Sequence, residues 1–438
     1  LVDLIKKIAV RFVVLVALLV GMNFIYSKYF YEDDLKKHSL NMFNSVKSIK
    51  PDSDIIYIGE SSNSTYYKHD NDKRTLGEFV SDYYPSLTTS SVTKKAAHAG
   101  IFKHILANIP NSSKKQTIIV TLNLRSFSAD WIYSKLETAL QKEVILIQNR
   151  FSLLNRALLS FKDYEVINGK ERTQILHSTW KRELFHDLPF DLAHKNVKEW
   201  DKAKATEGIE GLDGKRNEKK TSLACNYIKR YAFQIDFDNN PRISDFNDII
   251  ELGKERDWNL VFNIVPENVE KAEFLVGEKL TYFMKENVTQ LKNYFENKGV
   301  LVVDNLTLVE DSEFRDQHLT TEHYAEKGRK SVARSVAIAI KKFHQDEFLE
   351  TDFKQFVRNY KPIHIDPFYT VNKSGGKWEF MNNFEGSETW SSPKSVTTEK
   401  SFSGKKSGFA SKAFIYGPGL IINPQEAPQE ELLGVIIK

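Results

Sequence analysis

Short apolar runs separated by helical lengths of mixed composition organise most of this chain. Ile55–Ile58 is the first run, and it predicts a short buried strand that Gly59 breaks. A second strand is predicted near Val92–Ala97 and a third over Thr117–Leu122. A fourth covers Asn259–Val265, where Pro266 ends it, and a fifth covers Val300–Val303 after Gly299. Short apolar runs of this kind, separated by helical lengths, suggest parallel strands joined by crossover helices. Ala325–Phe343 closes the pattern as an amphipathic helix, with Val332, Val336, Ala339, Ile340 and Phe343 on one side.

Two segments depart from that alternation. Well over a hundred residues separate the third and fourth strands. Within them Leu136–Phe161 has helical periodicity, and Asp201–Lys220 is charged and Gly-rich, as an exposed loop would be. The expectation is a helical insertion over about 136–245 that covers part of the sheet edge, within a domain spanning 50–345. After a linking segment at Phe348–Lys361, composition shifts to aromatics and Ser-Gly turns. Residues 366–438 are expected to form an all-β sandwich that continues past Ile436-Ile437-Lys438.

The other end of the chain is apolar. Lys6, Lys7 and Arg11 precede Phe12–Tyr26, which carries no charge, and Glu32-Asp33-Asp34 follows. Counted from Ile8, about 19 residues could span a bilayer if Arg11 reaches the headgroups. The charge asymmetry puts the N-terminus in the cytoplasm and the rest in the periplasm or outside the cell. No small-residue cleavage site follows, so residues 1–31 read as a retained anchor rather than a cleaved signal.

Composition narrows the classes of function. With 41% hydrophobic residues the chain can build an ordinary core. The 62 basic residues nearly balance 58 acidic ones, for a net charge of +4, and no basic block is interleaved with aromatics. Nucleic acid is therefore not an expected partner. A lone Cys225 excludes an internal disulfide framework and a thiolate zinc site. No metal or organic cofactor is expected.

Candidate chemistry gathers at the predicted strand ends. Ser61 and Ser62 follow Gly59 where a helix would begin, which lifts a hydroxyl to the carboxyl edge of the sheet, where ligands bind in open α/β folds. The same stretch also reads as a strand, a turn and a serine helix cap. Gly100, in Ala-Ala-His-Ala-Gly, could bring a backbone amide to a developing oxyanion, and Asn123 could add a side-chain amide. Two histidines, His318 and His323, lie just before the last helix, with Asp316 and Glu322 as the local carboxylates that could orient one of them.

Together these segments resemble the SGNH (GDSL-like) hydrolase superfamily over residues 51–343. Its Gly-Asp-Ser block matches Gly59-Glu60-Ser61, its second-block glycine Gly100, its third-block asparagine Asn123, and its Asp-x-x-His block His323 with Gly328 following. The chain departs from the pattern at Glu60, at Thr121 and Leu124, and at Thr320, which stands where the triad aspartate belongs. The resemblance implies a three-layer α/β/α flavodoxin-like fold and ester hydrolysis or acyl transfer. Ser61 would be the nucleophile and His323 the base. Ser61, Gly100 and Asn123 would form the oxyanion hole, and Asp316 or Glu322 would fill the missing carboxylate role. Asp316-Gln317-His318 is the rival register. The tail, with Trp378 and Trp390, is similar to jelly-roll carbohydrate-binding modules. The expected function is an extracytoplasmic esterase removing acyl, chiefly acetyl, groups from a cell-envelope glycan. An O-acyltransferase on the same residues and a non-catalytic glycan-binding protein are the alternatives.

Overall fold

In a computed structural model the described residues are 2–161, 168–184, 187–211 and 213–350, with the backbone of four short strands between 369 and 408. The chain divides into a unit over Leu1–Thr351 and a second over Asp352–Lys438.

The first unit is built on five parallel strands: β1 (Ile55–Gly59), β2 (Thr89–Thr93), β3 (Thr117–Leu122), β4 (Asn259–Ile264) and β5 (Leu301–Asp304). Their order across the sheet is β2-β1-β3-β4-β5, the flavodoxin-like order. Every residue of β1 and β3 is buried, as strands covered on both faces must be. β2 lies upstream of its expected place at Val92–Ala97. It is an edge strand of Thr, Ser and Val, and its hydroxyls are used locally: Ser90 Oγ lies 2.7 Å from Ser53 Oγ. An edge strand of this kind carries little apolar signal.

In chain order the helices are α1 (Val2–Tyr29), α2 (Tyr31–His38), α3 (Leu40–Lys47), α4 (Ser61–Ser64), α5 (Leu76–Asp82), α6 (Ala99–Ala107), α7 (Ala129–Ile132), α8 (Lys135–Val144), α9 (Ser152–Leu159), α10 (Gly169–Trp180), α11 (Val197–Glu207), α12 (Glu218–Tyr231), α13 (Pro241–Glu255), α14 (Val269–Val276), α15 (Glu278–Glu296) and α16 (Glu326–Ile340). Ile56, Ile58, Ile118, Val120 and Phe262 pack in one core with α6, α13 and α15. Tilted and edge-on contacts among Phe246, Phe262 and Phe295 tie α13, β4 and α15 together there. On the other face α5 packs beside α16, and a side chain at Gly77 would meet Tyr57 Cβ at 3.0 Å. The result is three layers, α/β/α.

The insertion between β3 and β4 differs in detail from expectation. The helical periodicity of Leu136–Phe161 is divided between α8 and α9, with a 3-10 turn at Ile145–Ile147. Asp201–Lys220 is not one loop. α11 runs through it to Glu207, anchored by buried Val197 and Trp200, and stops at Gly208 with φ 75°. Asn217 then caps α12, which leaves only 208–217 as the loop. Of the charges that suggested one loop, those at 201–207 and 218–220 lie on α11 and α12. α13 is the crossover helix into β4, so the sheet's own architecture resumes at Pro241.

Before β1, Leu35, Met42 and Ile49 are buried in the same core, so α2 and α3 belong to the domain rather than to a linker. Ahead of them Asp3–Tyr29 forms an exposed helix of 27 residues, long and apolar enough to cross a membrane. In the second unit, β6 (Tyr369–Ser374) pairs antiparallel with β7 (Lys377–Asn382), and β8 (Val396–Thr397) with β9 (Ser407–Gly408). The sandwich and jelly-roll expectations otherwise concern residues outside the described ones.

Candidate active site

The site begins where β1 ends. Any side chain at Gly59 would lie 2.7 Å from Asn63 Cβ, so glycine is what allows α4 to fold back over the strand end. Asn63 fixes that turn. Its Nδ2 donates to Thr93 Oγ1 at 2.6 Å and Ser91 Oγ at 3.1 Å, and its Oδ1 accepts from Gly77 N at 2.9 Å. Glu60 is extended and buried, and Ser61 is the first residue of α4, half-exposed, with its amide unpaired within the helix by position.

The segment before α16 comes to meet it. An antiparallel bridge between Phe314 and Tyr324 closes a loop that carries Asp316 at its start and His323 at its end. Within it Arg315 N donates to His323 O at 2.7 Å. His323 Nε2 lies 3.1 Å from Ser61 Oγ, and His323 Nδ1 lies 2.5 Å from Asp316 Oδ2. Serine, imidazole and carboxylate therefore stand in one line. The carboxylate is seven residues before the histidine rather than three, because the closed loop returns Asp316 to the ring. Thr320, at the usual spacing, is buried, with its carbonyl accepting from Arg125 Nη1 at 2.9 Å and its hydroxyl from Arg230 Nη1. His318 is exposed at the turn, and the structure does not bring it to Ser61.

Glu322, the other carboxylate weighed from sequence, is engaged elsewhere. It is fully buried and accepts from Arg125 Nη2 at 2.6 Å. Although burial opposes its charge, Arg125 is held above its ordinary pKa by Glu322 and further acidic neighbours. Glu267 is buried in the same pocket. Burial, then the nearby Glu322 carboxylate, raises its pKa well above the usual range, so it keeps its proton and accepts from Tyr231 Oη at 2.6 Å.

A second buried arginine works from the other side. Arg329 Nη1 donates to Thr65 O at 3.1 Å, Tyr324 O at 3.0 Å and Asp70 Oδ2 at 2.9 Å, and Nη2 donates to Asp72 O at 2.6 Å. It joins the exit of the Ser61 helix to the end of the histidine loop. Sequence reasoning missed both arginines. The one available signal for Arg329 was a cation at a core-facing position of an amphipathic helix.

Asn123 and Gly100 part company. By the β1–β3 register Asn123 stands at the same sheet edge as Ser61. Its Oδ1 accepts from Arg125 N at 3.1 Å, which leaves the Nδ2 group as a donor directed away from that turn. Gly100 is held in a different set of contacts. It lies in the first turn of α6, its amide donates to His98 Nδ1 at 3.2 Å, and a Cβ there would meet Asp245 Oδ2 at 2.6 Å. It belongs to a polar cluster of His98, Glu137, Arg242 and Asp245, with His98 Nε2 2.7 Å from Glu137 Oε2. The left-handed residue in the loop after β2, which a glycine pattern would seek, is Ala96 with φ 60°. Among the described residues no three His, Cys, Asp or Glu side chains cluster as a metal site would require.

No family model and no curated protein matches the chain. Among solved structures it is similar to an acetylxylan esterase from Geobacillus stearothermophilus, at 10% identity and TM-score 0.31, covering 67% of this chain and 96% of that one. It is also similar to an extracellular lipase from Streptomyces rimosus, at 10% identity and TM-score 0.31, covering 66% and 99%.

Proposed function

We propose that this chain is a serine ester hydrolase of SGNH type, acting on acyl groups of a glycan outside the cytoplasm. The observation that carries the reading is the line Ser61 Oγ, His323 Nε2, His323 Nδ1, Asp316 Oδ2, with steps of 3.1 and 2.5 Å. In the first step Ser61 Oγ bonds to the ester carbonyl carbon, and its proton passes to His323 Nε2. The carbonyl oxygen becomes an oxyanion, facing the Ser61 amide and the Asn123 side-chain amide. Collapse expels the alcohol, which takes the proton from His323. Water then repeats the sequence on the acyl-serine and returns free acid and Ser61. Asp316 keeps the histidine proton on Nδ1, so that Nε2 is free to accept. A carboxylate in that position supports the catalytic reading over the non-catalytic one, although Thr320 stands at the usual spacing.

The apolar helix ahead of the domain supports the substrate class proposed. An esterase tethered outside a bilayer meets the acylated polymers of the envelope first, and an acetylated glycan is the proposed substrate. A serine-directed fluorophosphonate should label the native protein and not Ser61→Ala, and only the native protein should release acetate from an acetylated glycan. Equal labelling and turnover by a folded Ser61→Ala variant would overturn the assignment.

A further inference from the structure

The end of the apolar helix does not stand alone. Asn23, within α1, accepts on its Oδ1 from Leu153 N, in the first turn of α9, at 2.9 Å. Asp34 Oδ2 accepts from Arg156 Nε, on α9, at 2.8 Å and from Tyr26 Oη, on α1, at 2.9 Å. Tyr31 Oη donates to Leu146 O, just ahead of α9, at 2.7 Å. One of these contacts joins α1 to α9 directly, and the other three join them through α2 and the turn before α9.

The outer side of α9 is apolar in an unusual place. Phe151 at its start, Leu154 within it and Phe161 just past its end are 67%, 45% and 63% exposed. Tyr29 and Phe30, where α1 ends, are 62% and 57% exposed. Scattered exposed apolar residues need no explanation, but these lie on a helix that is hydrogen-bonded to the exposed apolar helix α1. Depth agrees. An apolar stretch from Ile8 to Tyr26 fills roughly 28 Å at 1.5 Å per residue, so Asn23 lies about 5 Å inside its outer end. Leu153, whose amide Asn23 holds, is then close to the boundary between acyl chains and headgroups. Arg150 next to Phe151, and Lys28, whose Nζ sits 5.3 Å from the Tyr29 ring, supply charge at the headgroup level.

We propose that α9 is an interfacial helix that lies in the bilayer surface beside α1, seating Phe151, Leu154 and Phe161 among the lipid headgroups and outer acyl segments. The catalytic domain is thereby held on the membrane by two contacts, a span and a surface helix, rather than swinging on a single tether. This rests on α1 as a bilayer span and is independent of the esterase chemistry.

The test is depth measured by nitroxide labels on the full chain, reconstituted in vesicles of equal parts zwitterionic and anionic phospholipid. Cys225→Ala removes the native thiol. Single cysteines at Phe151, Leu154 and Phe161 are compared with Val16→Cys, inside α1, and Lys298→Cys, an exposed position beside the far edge strand β5. The expected result is an oxygen-to-nickel-chelate collision ratio at the three α9 sites several-fold above that at Lys298 and below that at Val16. Ratios at all three equal to Lys298, with Val16 in the acyl core, would overturn the interfacial helix and leave the span. An aqueous ratio at Val16 would overturn the span, and the proposal with it.

Discussion

Ser61 Oγ lies 2.8 Å from Oε2 of Glu60, its neighbour in sequence, and 3.1 Å from Nε2 of His323. One hydroxyl hydrogen faces two acceptors. Glu60 is buried, and its other oxygen, Oε1, has no partner among the described residues, so its charge is directed at the serine. While the hydrogen points to Glu60, the histidine cannot take it. The carboxylate also repels the oxyanion that forms on attack.

Glu60→Gln keeps the shape and removes the charge, and its amide can donate to Ser61 Oγ and turn the hydroxyl toward His323. The expected outcome is a several-fold rise in kcat/KM for a neutral aryl acetate, with KM little changed. A loss of tenfold or more in a folded variant would show that the carboxylate assists the serine instead.

Asp316 and His318 are separated by one residue and by role. Asp316→Asn removes the acceptor that fixes the His323 ring, and kcat should fall by roughly four powers of ten. His318→Ala, at an exposed turn, should leave kcat within about twofold. Steady-state kinetics on the two variants decides it. A larger effect at His318 would restore the rival register.

Arg125, Glu322 and Glu267 form a buried set with one cation and two carboxyls, of which Glu267 keeps its proton. Glu267→Gln therefore removes no charge and should cost less than about 1 kcal/mol. Glu322→Gln leaves Arg125 to recruit Glu267, which can then ionise, so its cost should be moderate. The double variant strands the arginine and should lose about 3–5 kcal/mol, more than the two singles added together. Urea unfolding of all three checks this, and simple additivity would show that the two carboxyls do not share the arginine.

Gly100 separates packing from chemistry. In Gly100→Ala the new methyl meets Asp245, which Arg242 and Lys103 hold in place. Stability should fall by about 1–3 kcal/mol while kcat of the folded fraction stays within a few-fold. A kcat loss on the order of a hundredfold with unchanged stability would return its amide to the oxyanion hole.

The strands legible in the sequence were those buried on both faces. β1, β3 and β4 lie at their expected places because an apolar run has one interpretation there, whereas β2 hid behind serine and threonine at the sheet edge. Ser61 was legible because a strand, a glycine and a serine are consecutive and the turn is local. The spacing to Gly328 favours His323, which lies beside Ser61, but no spacing fixes the carboxylate, since loop closure through the Phe314–Tyr324 bridge depends on tertiary contacts. The arginines illustrate the limit. Arg125 meets Glu322 across 197 positions and Arg329 meets Thr65 across 264, and no local pattern announces such pairs. Charge in 201–220 was read as loop, although a helix with two buried anchors, Val197 and Trp200, can carry the same charges on its outer side.

Glu183 gives the insertion a pH dependence of its own. Burial, opposed by the Ala129 amide donating to Oε1 at 2.7 Å, raises its carboxyl from 4.5 to about 8, with Asp130 adding to the rise. Its Oε2 is buried with no partner among the described residues. Between those two values the folded protein keeps a proton that the unfolded chain has already lost. The unfolded state then binds fewer protons, so stability falls as pH rises from about 4.5 to about 8 and changes no further above that through this group. Glu183→Gln keeps the acceptor for Ala129 and has no proton to lose. It should match the native protein near pH 4 and exceed it by on the order of a few kcal/mol at pH 8 and above. Urea midpoints of the two proteins across that range check the prediction. Parallel curves with a constant gap would mean that Glu183 is already ionised in the folded state.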